Sequence, residues 1–141
     1  MKFSLLVLLT CLSFLGYTQE KVDWSFSFDN RTSEIHVHAE IEKGWHLYSL
    51  NLANDLGPIP TEIVFNENKS IQFSENTSEP TPIVSYDENF GGDLSYFENE
   101  VTFKNKINAT ENTTVSGYVV FMVCNNEMCL PPTEVEFKIN I

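Results

Sequence analysis

The sequence has few cysteines, few basic residues and no apolar run long enough to cross a membrane as a helix. Its 141 residues include three cysteines, and eight lysines and arginines stand against 20 aspartates and glutamates, which gives a net charge of −12. Nucleic acids and anionic membrane surfaces attract proteins through clustered lysines and arginines. The shortage of basic residues therefore argues against both as partners.

The first residues have the layout of a secretory signal peptide. Lys2 precedes an apolar run over residues 3–15, and small or polar residues follow it. A membrane-spanning helix needs about 20 apolar residues, so this run is too short to be one. We expect cleavage after Thr18, which removes residues 1–18 and leaves one exported domain, residues 19–141.

The predicted cleavage also decides the cysteine count. Cys11 lies in the signal peptide, and Thr10 before it is a poor residue for a lipid-anchoring site. The mature chain keeps Cys124 and Cys129, and an exported protein with an even number of cysteines is expected to form a disulfide. Loss of Lys2 changes the net charge from −12 to −13. This net negative charge is expected to keep the exported domain soluble.

Most of the mature chain alternates apolar and polar residues, and no helical period is sustained. The segments predicted as strands are VDWSFSF (22–28), EIHVHAEI (34–41), TEIVF (61–65), EVTFKNKI (100–107), TVSGYVVFMVC (114–124) and TEVEFKINI (133–141). The end of the segment 114–124 is apolar on both faces, as in a central, doubly covered strand. Short strands separated by turn residues predict an all-β fold, an immunoglobulin-like antiparallel β-sandwich.

One long stretch, residues 77–97, has no clear strand pattern. It contains four aromatic residues and the pair Gly91 and Gly92. Long loops in compact domains are usually functional or disordered, and disordered segments are poor in aromatic residues. Two interpretations are open, a lid that moves on a Gly-Gly hinge and an irregular edge strand.

The stretch CNNEMCLPP, residues 124–132, raises the question of what the cysteine pair does. A structural disulfide here would close a loop of only six residues, which is worth about 2 kcal/mol in the chain-entropy model. Redox exchange is a second use, because strained or exposed bridges are the labile ones and the two following prolines make the exit rigid. Glu127 between the cysteines would disfavour a thiolate, which an imidazole such as His46 or oriented backbone amides would have to offset.

A metal site is the third use of the pair. Two thiols cannot complete a closed zinc site, which needs four ligands. Cu(I) favours thiolate and thioether ligands, so Met128 between the cysteines would suit it. The histidines that are candidates to complete such a site are His36, His38 and His46.

Three stretches of the chain resemble the N-terminal periplasmic domain of the membrane thiol:disulfide interchange protein DsbD. They are residues 41–65, 85–97 and 117–139, and the similarity covers nearly the whole mature chain. Its specific parts are the glycine-aromatic-x-x-tyrosine turn in GWHLY and the cysteine pair that ends in CLPP. The resemblance implies an immunoglobulin-like sandwich, which agrees with the strand pattern.

The resemblance also implies a function. The domain would be a thiol–disulfide oxidoreductase component, a protein-disulfide reductase whose redox-active disulfide needs no cofactor and no metal. It would take electrons from thioredoxin-like proteins and a membrane electron donor, and pass them to oxidised exported proteins such as disulfide isomerases and cytochrome c maturation factors. We expect a periplasmic monomer that does not insert into the membrane after signal cleavage.

The same resemblance implies roles for the cysteines and for a loop. In the family, the second cysteine forms the mixed disulfide with the partner, so that cysteine is Cys129 here and Cys124 resolves the bond. An aromatic-tipped cap loop shields the pair until a partner docks. DENFGG matches this loop, which makes Asp87, Glu88 and Phe90 the expected cap residues, with Phe90 at the tip.

Packing near the pair is expected from the GWHLY motif, namely Trp45, His46 and Tyr48, although Trp45 has the core as an alternative position. Tyr48 matches a tyrosine that packs near the cysteines in the family. His46 stands where the family commonly has an aromatic residue.

Two features depart from the family pattern. The spacing C-x4-C is one residue shorter than the C-x5-C of the best-known members. The sequence also contains neither the eight-helix membrane domain nor the thioredoxin-like domain of the family, so we expect separate proteins to supply them. The alternatives are an exported β-sandwich binding module with a structural disulfide, and a Cu(I)-binding protein.

Overall fold

The computed structural model describes residues 20–53 and 57–141, and none of them lies in a helix. No helix that could cross a membrane therefore occurs in this part of the chain. The predicted signal peptide, residues 1–18, lies outside the described residues, and so does Cys11 within it. The strands β1 to β11 are Val22–Asp29, Glu34–Ile41, His46–Tyr48, Glu62–Phe65, Ile71–Phe73, Ile83–Asp87, Gly92–Phe97, Glu100–Ala109, Thr114–Phe121, Val123–Cys124 and Thr133–Asn140.

These strands form three antiparallel sheets. The first has the order β1-β2-β8-β5, the second β10-β3-β7-β6 and the third β11-β9-β4. The predicted alternation is clearest in β2, where Ile35, Val37 and Ala39 are buried and His36 and His38 lie on the opposite face. The all-β prediction and the antiparallel arrangement are confirmed.

The main core lies on the inner face of the first sheet and is closed by strands of the other two. Its buried residues are Val22, Ile35, Val37, Ala39, Ile41, Leu47, Ile71, Phe97, Val101, Phe103, Ile107, Val115, Val119, Phe121, Val123 and Phe137. Aromatic rings join the sheets, since Trp24 lies 5.2 Å from Phe121 and Phe26 lies 4.6 Å from Phe137 between ring centroids. Removing a side chain such as Phe103 from water contributes about 1.5–3 kcal/mol, so this core supplies most of the fold's stability.

The short strand β3 is buried on both of its faces. Leu47 belongs to the main core, whereas Tyr48 belongs to a second, smaller cluster on the other side of the sheet. His46 shares the face of Tyr48, because side chains two residues apart in a strand point the same way. None of the three side chains of β3 is exposed, so this strand separates the two cores from each other.

The chain from Phe121 to Cys124 is the other part of this partition. Phe121 and Val123 belong to the main core, while Met122 and Cys124 belong to the second cluster. The end of the predicted segment 114–124 is thus covered on both faces, as expected. It is a separate strand, however, since β10 lies at the edge of the second sheet, whereas β9 is central in its own sheet, between β11 and β4.

The stretch 77–97, which shows no strand pattern in the sequence, contains the hairpin of β6 and β7. Its pairs run from Ile83 opposite Tyr96 to Asp87 opposite Gly92. β6 is the edge strand of the second sheet and exposes four of its five residues. The edge-strand interpretation is confirmed, and the alternation is missing because an exposed edge imposes no buried face. The lid on a Gly-Gly hinge concerns motion and stays a hypothesis.

Gly117 on β9 marks a close approach of three strands, and it generates a prediction. It pairs with Phe65 on β4 and Phe137 on β11, and a Cβ atom would overlap the Val64 carbonyl oxygen and lie 2.8 Å from Phe137 Cζ. We expect Gly117→Ala to lower the free energy of unfolding by at least about 1–3 kcal/mol, measured by urea denaturation.

The control for this prediction is Gly57→Ala. Nothing lies within 4 Å of a Cβ built at this glycine, so the substitution should change the free energy of unfolding by less than about 1 kcal/mol. Equal losses of stability in the two variants would contradict the steric explanation.

Candidate functional site

The two cysteines of the described chain form a disulfide across a tight β-hairpin. Cys124 ends β10 and is the antiparallel bridge partner of Cys129, with their Cα atoms 4.0 Å apart. Below the pair, the amide of Leu130 donates to the carbonyl of Val123 at 2.9 Å. We call residues 123–130 the cysteine hairpin.

Asn125 organises the turn of the cysteine hairpin. Its backbone amide donates to the Met128 carbonyl at 2.9 Å. Its side-chain Oδ1 accepts hydrogen bonds from the amides of Glu127 and Met128 at 2.9 and 2.8 Å. This arrangement is an Asx turn, in which the side chain substitutes for backbone partners. The spacing C-x4-C is therefore closed by a compact turn whose amides are already paired.

The two cysteines differ in burial. Cys124 is 0% exposed, whereas Cys129 is half-buried and lies just before the exposed Pro131. Cys124 belongs to the second cluster, which we call the site cluster. Its buried members are Tyr48, Leu94 and Cys124, and the partly buried members are Leu52, Phe90, Tyr96, Met122 and Cys129. The exposed part of the pair therefore belongs to Cys129.

A chain of buried polar groups lies beside the site cluster. The Tyr48 hydroxyl donates to Asp87 Oδ2 at 2.8 Å, and His46 Nε2 lies 3.1 Å from the Tyr48 oxygen and 3.4 Å from the same Asp87 oxygen. All three residues are less than a tenth exposed. Because the Tyr48 hydroxyl donates its hydrogen bond to Asp87, its oxygen is left to accept, and we assign the hydrogen of the neutral His46 ring to Nε2.

Burial controls the protonation of this chain. Burial lowers the pKa of His46, and the attraction of the Asp87 carboxylate offsets this effect only in part. Burial, together with the hydrogen bond to Asp87, raises the pKa of Tyr48 well above its usual range. At neutral pH, His46 is therefore a neutral imidazole and Tyr48 a neutral donor.

Asp87 also shapes the turn between β6 and β7. Its Oδ1 accepts from the Asn89 amide at 2.8 Å, and its carbonyl accepts from the Gly91 amide at 2.8 Å. Gly91 has a φ of 71°, in the left-handed region that favours glycine. We call residues 87–91 the cap turn.

The cap turn contacts the cysteine hairpin in two ways. The Phe90 ring enters the site cluster and meets the Tyr48 ring edge to face, with the ring centroids 6.2 Å apart. The side-chain amide of Asn89 donates to the Asn125 carbonyl, next to Cys124, at 3.1 Å. The cap turn and the cysteine pair are thus parts of one packed unit.

An acidic cleft of about 200 Å³ opens between the cap turn and the second sheet. Its carboxylates are Asp87, Glu88 and Glu98. Among the described residues that line it, His46 is the one side chain that can carry a positive charge. The cleft therefore presents an acidic surface in which His46 is the basic side chain.

The structure brings most of the residues predicted for the site together. Phe90 and Tyr48 lie with both cysteines in the site cluster, and His46 and Asp87 are joined to Tyr48 by hydrogen bonds. Glu88 lines the cleft at the exposed side of the cap turn.

Trp45 is placed elsewhere. Its ring packs against the main core, with Lys21 Nζ 5.3 Å from the ring centroid. The reason is the strand period, since Trp45 and His46 are adjacent and point to opposite faces. Trp45 therefore packs against the main core and is not a member of the site cluster that holds the cysteines.

Residues that sequence reasoning did not select also belong to the site. Leu94, Tyr96 and Met122 belong to the site cluster, while Asn89 and Asn125 link the two turns. Asparagine next to a cysteine in a turn sequence was a usable signal for Asn125, because asparagine side chains cap turns. Leu94 and Tyr96 lie in the stretch without a strand pattern, where no periodicity identified a buried face.

No group of three or more histidine, cysteine, aspartate or glutamate side chains suited to a metal ion occurs within residues 20–53 and 57–141. His36 and His38 lie on β2 in the first sheet, whereas the cysteine hairpin and His46 belong to the second.

Comparison with known proteins gives a family match. The family described as thiol:disulfide interchange protein DsbD, N-terminal, matches residues 17–141. No curated protein matches the sequence.

Solved structures share the fold at low sequence identity. The reduced DsbD N-terminal domain of Neisseria meningitidis has a TM-score of 0.64 at 14% identity, over 85% of each chain. The complex of the DsbD and PilB N-terminal domains from the same organism gives 0.63 at 13%, over 89% of this chain and 88% of that one. The N-terminal periplasmic domain of ScsB from Proteus mirabilis gives 0.54 at 15%, over 83% of this chain and 44% of that one. The predicted immunoglobulin-like sandwich is confirmed.

The buried hydrogen bond from Tyr48 to Asp87 generates a prediction. Tyr48→Phe removes the donor and leaves a buried carboxylate with one partner fewer, so we expect the free energy of unfolding to fall by about 1–3 kcal/mol. Tyr118→Phe is the control, because the Tyr118 side chain makes no hydrogen bond within the described residues. Chemical denaturation at pH 7 measures both, and a loss in Tyr118→Phe as large as in Tyr48→Phe would contradict the prediction.

Proposed function

The chain belongs to the family of DsbD N-terminal domains, and from this membership we propose that it is a periplasmic electron shuttle that works by thiol–disulfide exchange. It takes electrons from a thioredoxin-like protein or a membrane reductase. It passes them through the Cys124–Cys129 pair to oxidised exported proteins, such as disulfide isomerases or cytochrome c maturation factors. In this role it is the protein-disulfide reductase component of a pathway, and its disulfide is its redox group.

The observation that carries the proposal is the unequal burial of the two cysteines. Cys124 is 0% exposed, while Cys129 is half-buried at the edge of the same bond. Thiol–disulfide exchange proceeds through a mixed disulfide, and an attacking thiolate reaches only an accessible sulfur. This asymmetry favours Cys129 as the sulfur that bonds to the partner and Cys124 as the resolving thiol.

The exchange with an oxidised recipient has two steps. The Cys129 thiolate attacks one sulfur of the recipient's disulfide, which forms a mixed disulfide and releases the recipient's first thiolate. Cys124 then attacks Cys129, which restores the intramolecular disulfide and releases the second thiolate. Two electrons leave the domain, and the two protons of its thiols end on the recipient. Reduction by the donor runs through the same steps in reverse.

The cap turn serves as a shield in this proposal. Phe90 packs against the same site cluster as the cysteine pair, and in this proposal its ring keeps disulfides in solvent away from the pair until a partner docks. Asp87 holds the cap turn in shape through its bonds to the Asn89 and Gly91 amides. Glu88 lies on the outer side of the turn, where a partner's charge would meet it.

His46 and Tyr48 lie on β3, which pairs with β10 beside the cysteines, and Trp45 packs against the main core at the start of β3. Export rests on the predicted signal peptide, residues 1–18, which leaves residues 19–141 as a monomeric mature domain. A thioredoxin-like partner is supported by the family and by the relative that forms a complex with a PilB domain. A membrane electron donor follows from the family membership alone.

Trapping with single-cysteine variants tests the proposal. We expect Cys124→Ser, incubated with an oxidised thioredoxin-like protein, to accumulate a mixed disulfide through Cys129, seen as a dithiothreitol-sensitive band on a nonreducing gel. The matched Cys129→Ser variant should form at least about tenfold less, because its remaining sulfur is buried. Thermal unfolding verifies that both variants are folded.

The reduction potential of the pair decides between shuttle and structural staple. We expect a value between about −180 and −270 mV, the range of exchange-active proteins. A value below about −300 mV, together with equal trapping by the two variants, would contradict the shuttle. It would favour a binding module with a structural disulfide.

Shielding by the cap turn has its own prediction. Phe90→Ala removes the ring over the pair, so we expect dithiothreitol to reduce the Cys124–Cys129 bond roughly tenfold faster, which corresponds to about 1.4 kcal/mol of lost protection. Phe73→Ala is the control, because Phe73 is also half-buried but packs against the main core. The rate should be unchanged in that variant, and an equal acceleration in both would point to general destabilisation.

A further inference from the structure

His46 is the residue directly opposite Cys124 in the antiparallel pairing of β10 with β3. Opposite residues of an antiparallel pair point to the same face, with Cβ atoms about 4.5–5.5 Å apart. The imidazole is thus the cross-strand neighbour of the resolving sulfur.

The hydrogen-bond chain decides which nitrogen of His46 can act as a base. Nε2 carries its hydrogen toward the Tyr48 oxygen, because the Tyr48 proton is committed to Asp87. In a neutral imidazole the other nitrogen then holds a lone pair. His46 Nδ1 makes no hydrogen bond to any residue in the described part of the chain, so its lone pair is unused.

The resolving cysteine needs such a base. Cys124 is 0% exposed in a largely apolar cluster, and burial of this kind disfavours a thiolate. Its proton cannot pass directly to bulk water from that position. A neighbouring group that accepts the proton as the sulfur attacks would remove this obstacle.

We propose that His46 Nδ1 accepts the proton of the Cys124 thiol when Cys124 resolves the mixed disulfide on Cys129. This proposal rests on the proposed function and adds to it the group that accepts the proton of the resolving thiol. The Cys124 sulfur bonds to the Cys129 sulfur, the bond from Cys129 to the recipient breaks, and the recipient's sulfur leaves with the electron pair. The imidazolium then gives its proton to that thiolate, so His46 ends neutral.

The groups that face His46 favour this transient charge. Tyr48 adjoins it on β3, Tyr96 lies 4.7 Å away between ring centroids on β7, and Asp87 faces it from β6. Glu98 after β7 attracts the imidazolium, and Glu88 and Tyr86 complete the titratable lining of the cleft. Glu127 extends the acidic surroundings from the turn of the cysteine hairpin. Burial lowers the pKa of His46, which keeps the imidazole neutral before the step and able to accept a proton.

The test follows both steps with dithionitrobenzoate, an aromatic disulfide that releases a coloured thiolate at each step. Equimolar reagent is mixed with the reduced mature domain between pH 5.5 and 8.5. Attack by Cys129 gives the first release and resolution by Cys124 gives the second. Cys124→Ser, which should give only the first release, assigns the phases.

We expect His46→Gln to slow the second release by roughly tenfold to a hundredfold at pH 7, within the range that positioned proton transfer contributes. The slowed rate should rise in proportion to hydroxide concentration, because the thiol then loses its proton to solvent. The first release should change by less than about threefold. His46→Tyr keeps an aromatic ring without a base, and it should be slowed as much as His46→Gln.

The control is His38→Gln, since His38 is a strand histidine whose Nδ1 is bonded to Thr102 Oγ1 at 2.8 Å on the first sheet. Both of its phases should equal those of the wild type. A second release in His46→Gln or His46→Tyr that matches the wild type in rate and pH profile would overturn the role of His46. Failure of the wild type to release any thiolate from Cys129 would instead overturn the proposed function.

Discussion

The arrangement of the second sheet depends on one constraint, the burial of both faces of its inner strands β3 and β7. Leu47 and Phe97 seal the main core from one side, and Tyr48 and Leu94 form the site cluster on the other. The pleat of a β-strand makes this possible, since neighbouring residues point in opposite directions. The large core fixes the position of the strands, and the strands in turn fix the cysteine pair. A shift of β3 by one residue would exchange the two faces and destroy both cores.

On the site-cluster side of this sheet, the buried carboxylate of Asp87 connects Tyr48 on β3 to the cap turn. Asp87 accepts from the Tyr48 hydroxyl below and from the Asn89 amide in the cap turn. A buried charge without partners is strongly unfavourable, so the cap turn and Tyr48 are held in one arrangement. Phe90 is positioned by this polar anchor as well as by its own packing.

Sequence reasoning succeeded where one face of a strand is buried and the other is exposed. Ile35 and Val37 on β2 follow this rule, and the antiparallel sandwich follows from many such strands. It left β6 open between a lid and an edge strand, because an edge strand with exposed side chains on both faces has no period to detect. It left Trp45 open between the core and the surroundings of the cysteines, and the structure places it against the core, because adjacent residues in a strand face opposite ways. The motif GWHLY identified the correct segment, and the register of the structure was needed to separate its residues.

The place of the disulfide explains how redox change and fold stability can be independent. Cys124 and Cys129 are opposite residues of one hairpin, and backbone hydrogen bonds on either side of them close the same turn. The bond constrains a short loop and contributes only about 2 kcal/mol in the chain-entropy model. Most of the main core lies on the other face of the sheet, so we expect it to keep its contacts when the bond opens. A domain that cycles between dithiol and disulfide needs this separation, because a bridge between distant strands would couple each reduction to partial unfolding.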